Sequence, residues 1–288
     1  MKSYNNQIGV HALVWTGDTS KASIELAAKR SVETGYDLLE LSLHDLDNLD
    51  VNHARSVLSA SDLSIVCSRG LAFDADVSSD DLSVVRKGAE LLHHSLIATH
   101  SLGGKLLTGA LYSALGKYGK PASAKGRDNA VAVIRDLASE ASKLGVTLGL
   151  EVCNRYETHL VNTARQALSL ADDIGADNTV IHLDTYHMNI EEDNLIRPLH
   201  EVGERLGYIH IGENHRGYLG SGHIDFTGFF HALADIKYHG PITFESFSSA
   251  VIAEGLSNDL AIWRDTWSDG FELAKHARSF VDTHLSVA

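Results

Sequence analysis

Eight short apolar runs recur along the 288-residue chain, and each is followed by a stretch whose apolar residues fall at helical spacing. The runs begin at Ile8 (IGVHALVW), Tyr36 (YDLLELSL), Leu63 (LSIVCSRGL), Lys105 (KLLTGALY), Val146 (VTLGLEVC), Asn178 (NTVIHLDTY), Tyr208 (YIHIGEN) and Pro241 (PITFESF). Helical patterns cover Thr19 to Gly35, Asn52 to Ala60, Ser79 to Ser101, Ser123 to Leu144, Asn162 to Ile174, Asn194 to Leu206, Asp225 to Tyr238 and Leu260 to Phe280. Strict alternation of strand and helix implies parallel strands joined by crossover helices, and eight such units close into a barrel. The expected fold is therefore α/β, a (β/α)8 TIM barrel forming one domain over residues 1–288. A doubly wound open sheet is the competing architecture. Nothing pulls towards a nucleotide fold, because neither a Gly-x-Gly-x-x-Gly turn after the first strand nor a P-loop is present.

Charge narrows the range of partners. With 24 Lys and Arg against 38 Asp and Glu the formal net charge is −14, which repels phosphate backbones and anionic membrane surfaces. Nucleic acid and phosphorylated substrates are disfavoured, and the basic residues are scattered, without a local patch. No apolar run approaches the roughly 20 residues that cross a bilayer, so no membrane span is expected. The opening residues MKSYNNQIGV pass from polar residues straight into a strand, without the apolar core of a secretory signal. A cytoplasmic location is expected, with Cys67 and Cys153 reduced and buried inside strands.

Strands five to eight each carry one polar residue near the carboxyl end: Glu151 in LGLEVCN, Asp184 in IHLDTYH, His210 in YIHIGEN and Glu245 in ITFESFS. Strand parity puts Glu151 on the face of Thr147 and Gly149, His210 with Tyr208, and Glu245 with Thr243, whereas Leu148, Leu150, Ile181, Leu183, Ile209 and Ile211 take the opposite, helix-facing side. The four polar side chains should then converge at the barrel mouth, where barrels place their ligands. Singly each has a plainer role: Asp184 as the cap of a turn, His210 as a core histidine, Glu245 as the partner of an arginine. Together, three buried carboxylates would cost several kcal/mol unless compensated. A divalent cation compensates them, and an oxygen-rich set with one imidazole favours Mn²⁺, Mg²⁺ or Co²⁺ over a structural zinc. Such a centre suits proton transfer next to a ketone, by either inversion or an aldose–ketose shift. The polar run Thr185 to Glu192 is expected to form a loop at the mouth.

The motifs GLEVCNRYE (149–157), HLDTYHMNIEE (182–192), HIGENHRGYLGSGHIDF (210–226) and FESFSS (244–249) closely resemble those of the ketose 3-epimerases, the D-tagatose, D-allulose (psicose) and L-ribulose 3-epimerases of the xylose isomerase-like barrels. The resemblance runs over the whole chain, and the closing stretch is most similar to the allulose and L-ribulose branch. It implies that Glu151, Asp184, His210 and Glu245 bind Mn²⁺ or a similar ion, and that Glu151 and Glu245 exchange the C3 proton of an unphosphorylated ketose. It further implies that Glu157, His187 and Arg216 hold substrate oxygens, and that the protein is a homodimer or homotetramer. On the first strands, His11, Trp15, Cys67, Gly70 and Leu107 to Tyr112 would form the wall around the far end of the sugar, although each equally suits barrel core, and for Trp15 and Cys67 core packing is the default. The sequence departs from its relatives at Asn214, where serine or alanine is usual, and this bears on fine substrate preference. Rival readings are an aldose–ketose isomerase of the same barrel type, an apurinic endonuclease-like phosphodiesterase, and a non-catalytic sugar-binding barrel. The phosphodiesterase lacks its basic face here, and glutamates at both acid–base positions argue against the binding barrel.

Overall fold

The computed structural model describes residues 4–288. Its centre is a closed barrel of parallel strands in sequence order, β1 (Ile8–His11), β2 (Leu38–Ser42), β3 (Ser64–Ser68), β4 (Leu106–Thr108), β5 (Thr147–Glu151), β6 (Thr179–Asp184), β7 (Leu206–Ile211) and β8 (Ile242–Phe244), with β8 pairing back onto β1. The crossovers are α1 (Lys21–Glu33), α2 (Val51–Ala60), α3 (Leu82–Leu102), α4 (Ala124–Leu144), α5 (Ala164–Ile174), α6 (Thr185–Glu191), α7 (Ile196–Val202) and α8 (Phe226–Asp235), followed by α9 (Glu254–Asp259) and α10 (Gly270–Val287). Side chains that cap backbone N–H groups start most of them: Ser20, Asp50, Asp81, Ser123, Asp225 and Asp269, and Thr163 in a reciprocal capping box with Gln166. Gly103, Gly145 and Gly175 close α3, α4 and α5 in the left-handed conformation that glycine adopts without steric penalty.

Strand parity divides the core as expected. Leu148, Leu150, Ile181, Leu183, Ile209 and Ile211 are buried in the apolar layer under the helices. The opposite faces point into the barrel and are unusually polar, bearing Glu40, Thr108, His182, Tyr208, His210 and Thr243, all buried. Space inside is tight: a Cβ on Gly149 would lie 2.4 Å from Thr108 Oγ1, and one on Gly9 2.3 Å from Thr243 Oγ1. Parallel register pairs His11 with Glu40, Glu151 with His182, and Asp184 with His210, so residues of like role stand side by side around the rim.

Several elements differ from the sequence expectation. Residues 185–192 are helical for most of their length rather than a loop, because Asp184 Oδ1 caps Tyr186 N at 2.7 Å and Thr185, His187 and Met188 bury one side of the turn. The last helix begins at Gly270, where Asp269 caps Phe271 N and Glu272 N, and the expected start near Leu260 falls in an irregular segment. The fourth strand stops at Thr108, since Gly109 takes φ +114°, and Cys153 lies just past the end of β5. None of the described helices is long and apolar enough to cross a membrane. Both cysteines are free and buried.

Candidate active site

The carboxyl ends of the strands open into a cavity of about 540 Å³. Glu151 ends β5, Asp184 ends β6, His210 lies one residue before the end of β7, and Glu245 follows β8, where its N–H donates to Ile211 O. His210 Nδ1 stands 3.2 Å from Glu245 Oε1 and 3.4 Å from Glu151 Oε1. Ligand atoms of Asp184, His210 and Glu245 lie within 4.8 Å of one another, and a second such group joins Glu151 and His210 with His182. Two atoms facing the cluster are buried without a hydrogen-bond partner, Asp184 Oδ2 and His210 Nδ1. Desolvated, unpaired polar atoms of this kind are costly to keep, and their chemistry fits a divalent cation.

Burial raises the Asp184 and Glu151 carboxyls above the usual range, Glu245 adding to both through its charge. Glu245 goes the other way. Burial opposes its ionisation, but the His210 and Arg216 charges outweigh burial and hold it at about 2. Glu157 is pushed up to about 7 by burial, against the pull of Arg216. The two proposed acid–base glutamates thus sit in contrasting environments within one cluster, as acid–base pairs do in other enzymes.

The residues expected to hold substrate flank this cluster. His187 Nε2 is 3.6 Å from Asp184 Oδ2 and 3.9 Å from both Glu151 Oε1 and Glu157 Oε2, while its Nδ1 meets Asn154 Nδ2 at 2.8 Å. Asn154 Nδ2 also donates to Glu157 Oε1 at 2.8 Å, tying the three together. Arg216 donates to Glu245 Oε2 and lies 3.9 Å from Asp184 Oδ2. Its guanidinium is stacked between the Tyr186 and Phe247 rings, 3.8 and 4.6 Å from their centroids. Such a stacked, permanently charged fork is a different group from a lysine.

The wall residues divide. His11 lines the cavity, but its Nδ1 accepts from Leu13 N at 3.1 Å, and its ring edge meets His210 and Phe247. Trp15 turns away from the cavity and donates to Ser31 Oγ on α1 at 3.1 Å. Cys67 faces α3, and burial pushes its thiol up to about 12. The cavity side of β3 is formed instead by Ser68, Arg69 and Gly70, with Gly109 and Ala110 beyond β4.

The family model of the xylose isomerase-like TIM barrel matches residues 28–274. The ketose 3-epimerase of Arthrobacter globiformis is 46% identical over 281 residues, 98% of this chain and 97% of that protein. The chain belongs to the ketose 3-epimerase family. The L-ribulose 3-epimerase of Methylomonas sp. (strain DH-1) is also 46% identical, over 96% of each protein. A crystal structure of D-allulose 3-epimerase from Methylomonas sp. in complex with D-allulose superimposes with a TM-score of 0.95 at 45% identity, covering 98% of both chains.

Several residues of the epimerase site escape sequence reasoning. Glu40, a lone acid among the leucines of LLELS, is fully buried inside the barrel, and that isolation was the available signal. Asn154, Tyr186 and Phe247 act by contact across the mouth, which no spacing announces. Glu213, two residues past the end of β7, is completely buried. It accepts from Asn214 N at 3.0 Å and Gly220 N at 2.9 Å, folding the 213–224 loop that carries Arg216. Asn214 itself accepts from His223 N within the same loop. Glu213→Ala leaves these donors unpaired and is expected to cost about 1–3 kcal/mol, seen as a lower urea midpoint with the slope unchanged.

Proposed function

We propose that this ketose 3-epimerase inverts C3 of unphosphorylated ketohexoses or ketopentoses, such as the D-fructose/D-allulose, L-ribulose/L-xylulose or D-tagatose/D-sorbose pairs. A divalent ion, Mn²⁺ by preference with Mg²⁺ or Co²⁺ as substitutes, would be held by Glu151, Asp184, His210 and Glu245. The observation carrying this reading is that two glutamates from strands three apart, β5 and β8, bring Oε1 atoms to within 3.4 Å of a single imidazole nitrogen. Inversion needs a proton acceptor on one face of the carbon and a donor on the other, and a pair converging from separate strands supplies both. When bound, the cation supplies Lewis-acid polarisation of the ketone, worth several kcal/mol.

The chain's own residues do the rest. Glu151 and Glu245 remove and return the C3 proton, a role worth about 10²- to 10⁴-fold. Arg216, which cannot lose its charge, offsets the negative charge of the cis-enediolate. His187 and Glu157, braced by Asn154, bind hydroxyls near the carbonyl. The acidic total charge agrees with a neutral sugar. The names of the relatives, ketose and L-ribulose 3-epimerase, support the same class of substrate.

The test is incubation of metal-stripped protein with D-fructose, L-ribulose or D-tagatose in D₂O, with and without Mn²⁺, followed by NMR. Deuterium at C3 of an inverted product, appearing only with metal, is expected. Label at C1 or an aldose product would make the chain an aldose–ketose isomerase instead.

A further inference from the structure

Behind the mouth, the barrel axis is crossed by a chain of polar groups that ends on a single carboxylate oxygen. Glu40 Oε2 accepts from His210 Nε2 at 2.7 Å and from the Tyr208 hydroxyl at 2.8 Å. Tyr208 has only one proton to give, so Thr243 Oγ1, 2.6 Å from the same hydroxyl, donates to it. Glu40 is fully buried, and its other oxygen lies 3.5 Å from His11 Nε2. A carboxylate only accepts, and every neighbour of Oε2 is therefore a donor. Nε2 of His210 keeps its proton, and Nδ1 faces Glu151 and Glu245, where it has no hydrogen-bond partner; a cation held there would take the Nδ1 lone pair.

We infer that Glu40 is the positioning residue of the centre: it fixes the tautomer and ring plane of His210 and, by charge, strengthens Nδ1 as a ligand. Partner carboxylates of this kind orient metal-binding histidines, and their loss costs about 10- to 100-fold in metal affinity. Here the partner comes from β2, on the other side of the barrel from β6, and reaches His210 through the interior. Tyr208 and Thr243 hold it from beneath. The inference rests on the proposed metal reading, so the experiment must separate the two.

Calorimetric titration of the metal-stripped protein with Mn²⁺ does so when three proteins are compared: the parent, Glu40→Gln and Asp184→Asn. Glu40→Gln keeps the volume but removes the charge, and is expected to raise the Mn²⁺ dissociation constant about 10- to 100-fold. Equal affinity of Glu40→Gln and the parent, with Asp184→Asn weakened, would overturn the role of Glu40 alone. Unchanged affinity in Asp184→Asn would overturn the metal reading itself. Should Glu40→Gln fail to fold, ¹⁵N-histidine NMR of the parent loaded with Mg²⁺ decides the matter. A proton on His210 Nε2 is expected, and a proton on Nδ1 would refute the inference.

Discussion

Glu245→Gln is expected to lower kcat for C3 epimerisation by about 10²- to 10⁴-fold, the range that a positioned carboxylate contributes to proton transfer. The side chain keeps its length and loses its basicity, so the substitution isolates that role better than truncation. Glu245 is also held as an anion, since His210 and Arg216 keep its carboxyl at about 2 despite its burial. Its replacement leaves the Arg216 charge with Asp184 Oδ2, at 3.9 Å, as its nearest carboxylate in the cluster. Arg216 should still bind enediolate, so KM is expected to change far less than kcat. Stopped-flow or NMR assay of both directions, together with C3–deuterium exchange measured separately, checks this. Retained exchange with lost inversion would place Glu245 as donor only, and full turnover would remove it from the chemistry.

Chelation of the metal is expected to abolish epimerisation and to lower the melting temperature, with both effects reversed by Mn²⁺. Asp184 Oδ2 and His210 Nδ1 lie buried and unpaired, and Glu151 and Asp184 are strained towards protonation by their burial. A cation binding only the folded state adds about 2.7 kcal/mol at a hundredfold excess over its dissociation constant. For a chain of this size that corresponds to a rise of roughly 4–5 °C. Differential scanning calorimetry at increasing Mn²⁺ reads it directly. A melting temperature independent of Mn²⁺ would mean that the cluster does not bind it.

Much of this was legible in the sequence because barrels repeat. Each βα unit announces itself by period, and parity within β5 to β8 already separates Glu151, His210 and Glu245 from their apolar neighbours. The failures have local causes. The helix α6 was hidden because a polar run after a strand looks like a loop until Asp184 is seen to cap it, so one side chain serves as both the cap and a cluster member. Cys67 alternates in a strand whose two faces are both buried, and alternation cannot tell which face meets the cavity, whereas Trp15 lies past the end of β1, beyond a turn of 3-10 helix, where strand parity no longer applies. Glu40 belongs to a strand of leucines, and only closure of the barrel brings it to His210, 170 residues away. Long-range contacts of this kind lie outside any window of periodicity.

The division of the barrel has a consequence for engineering. The proposed acid–base and cluster residues arise from β5 to β8, whereas the opposite wall is built from Ser68 at the end of β3, Arg69 and Gly70 after it, and Gly109 and Ala110 beyond β4. On the proposed reading, the reaction chemistry lies in the second half of the sheet, and part of the wall that would meet the sugar lies in the first. Libraries restricted to residues 68–70 and 109–110 should shift sugar preference without erasing turnover. Glu40 crosses the divide, a position in the first half whose side chain reaches His210 in the second.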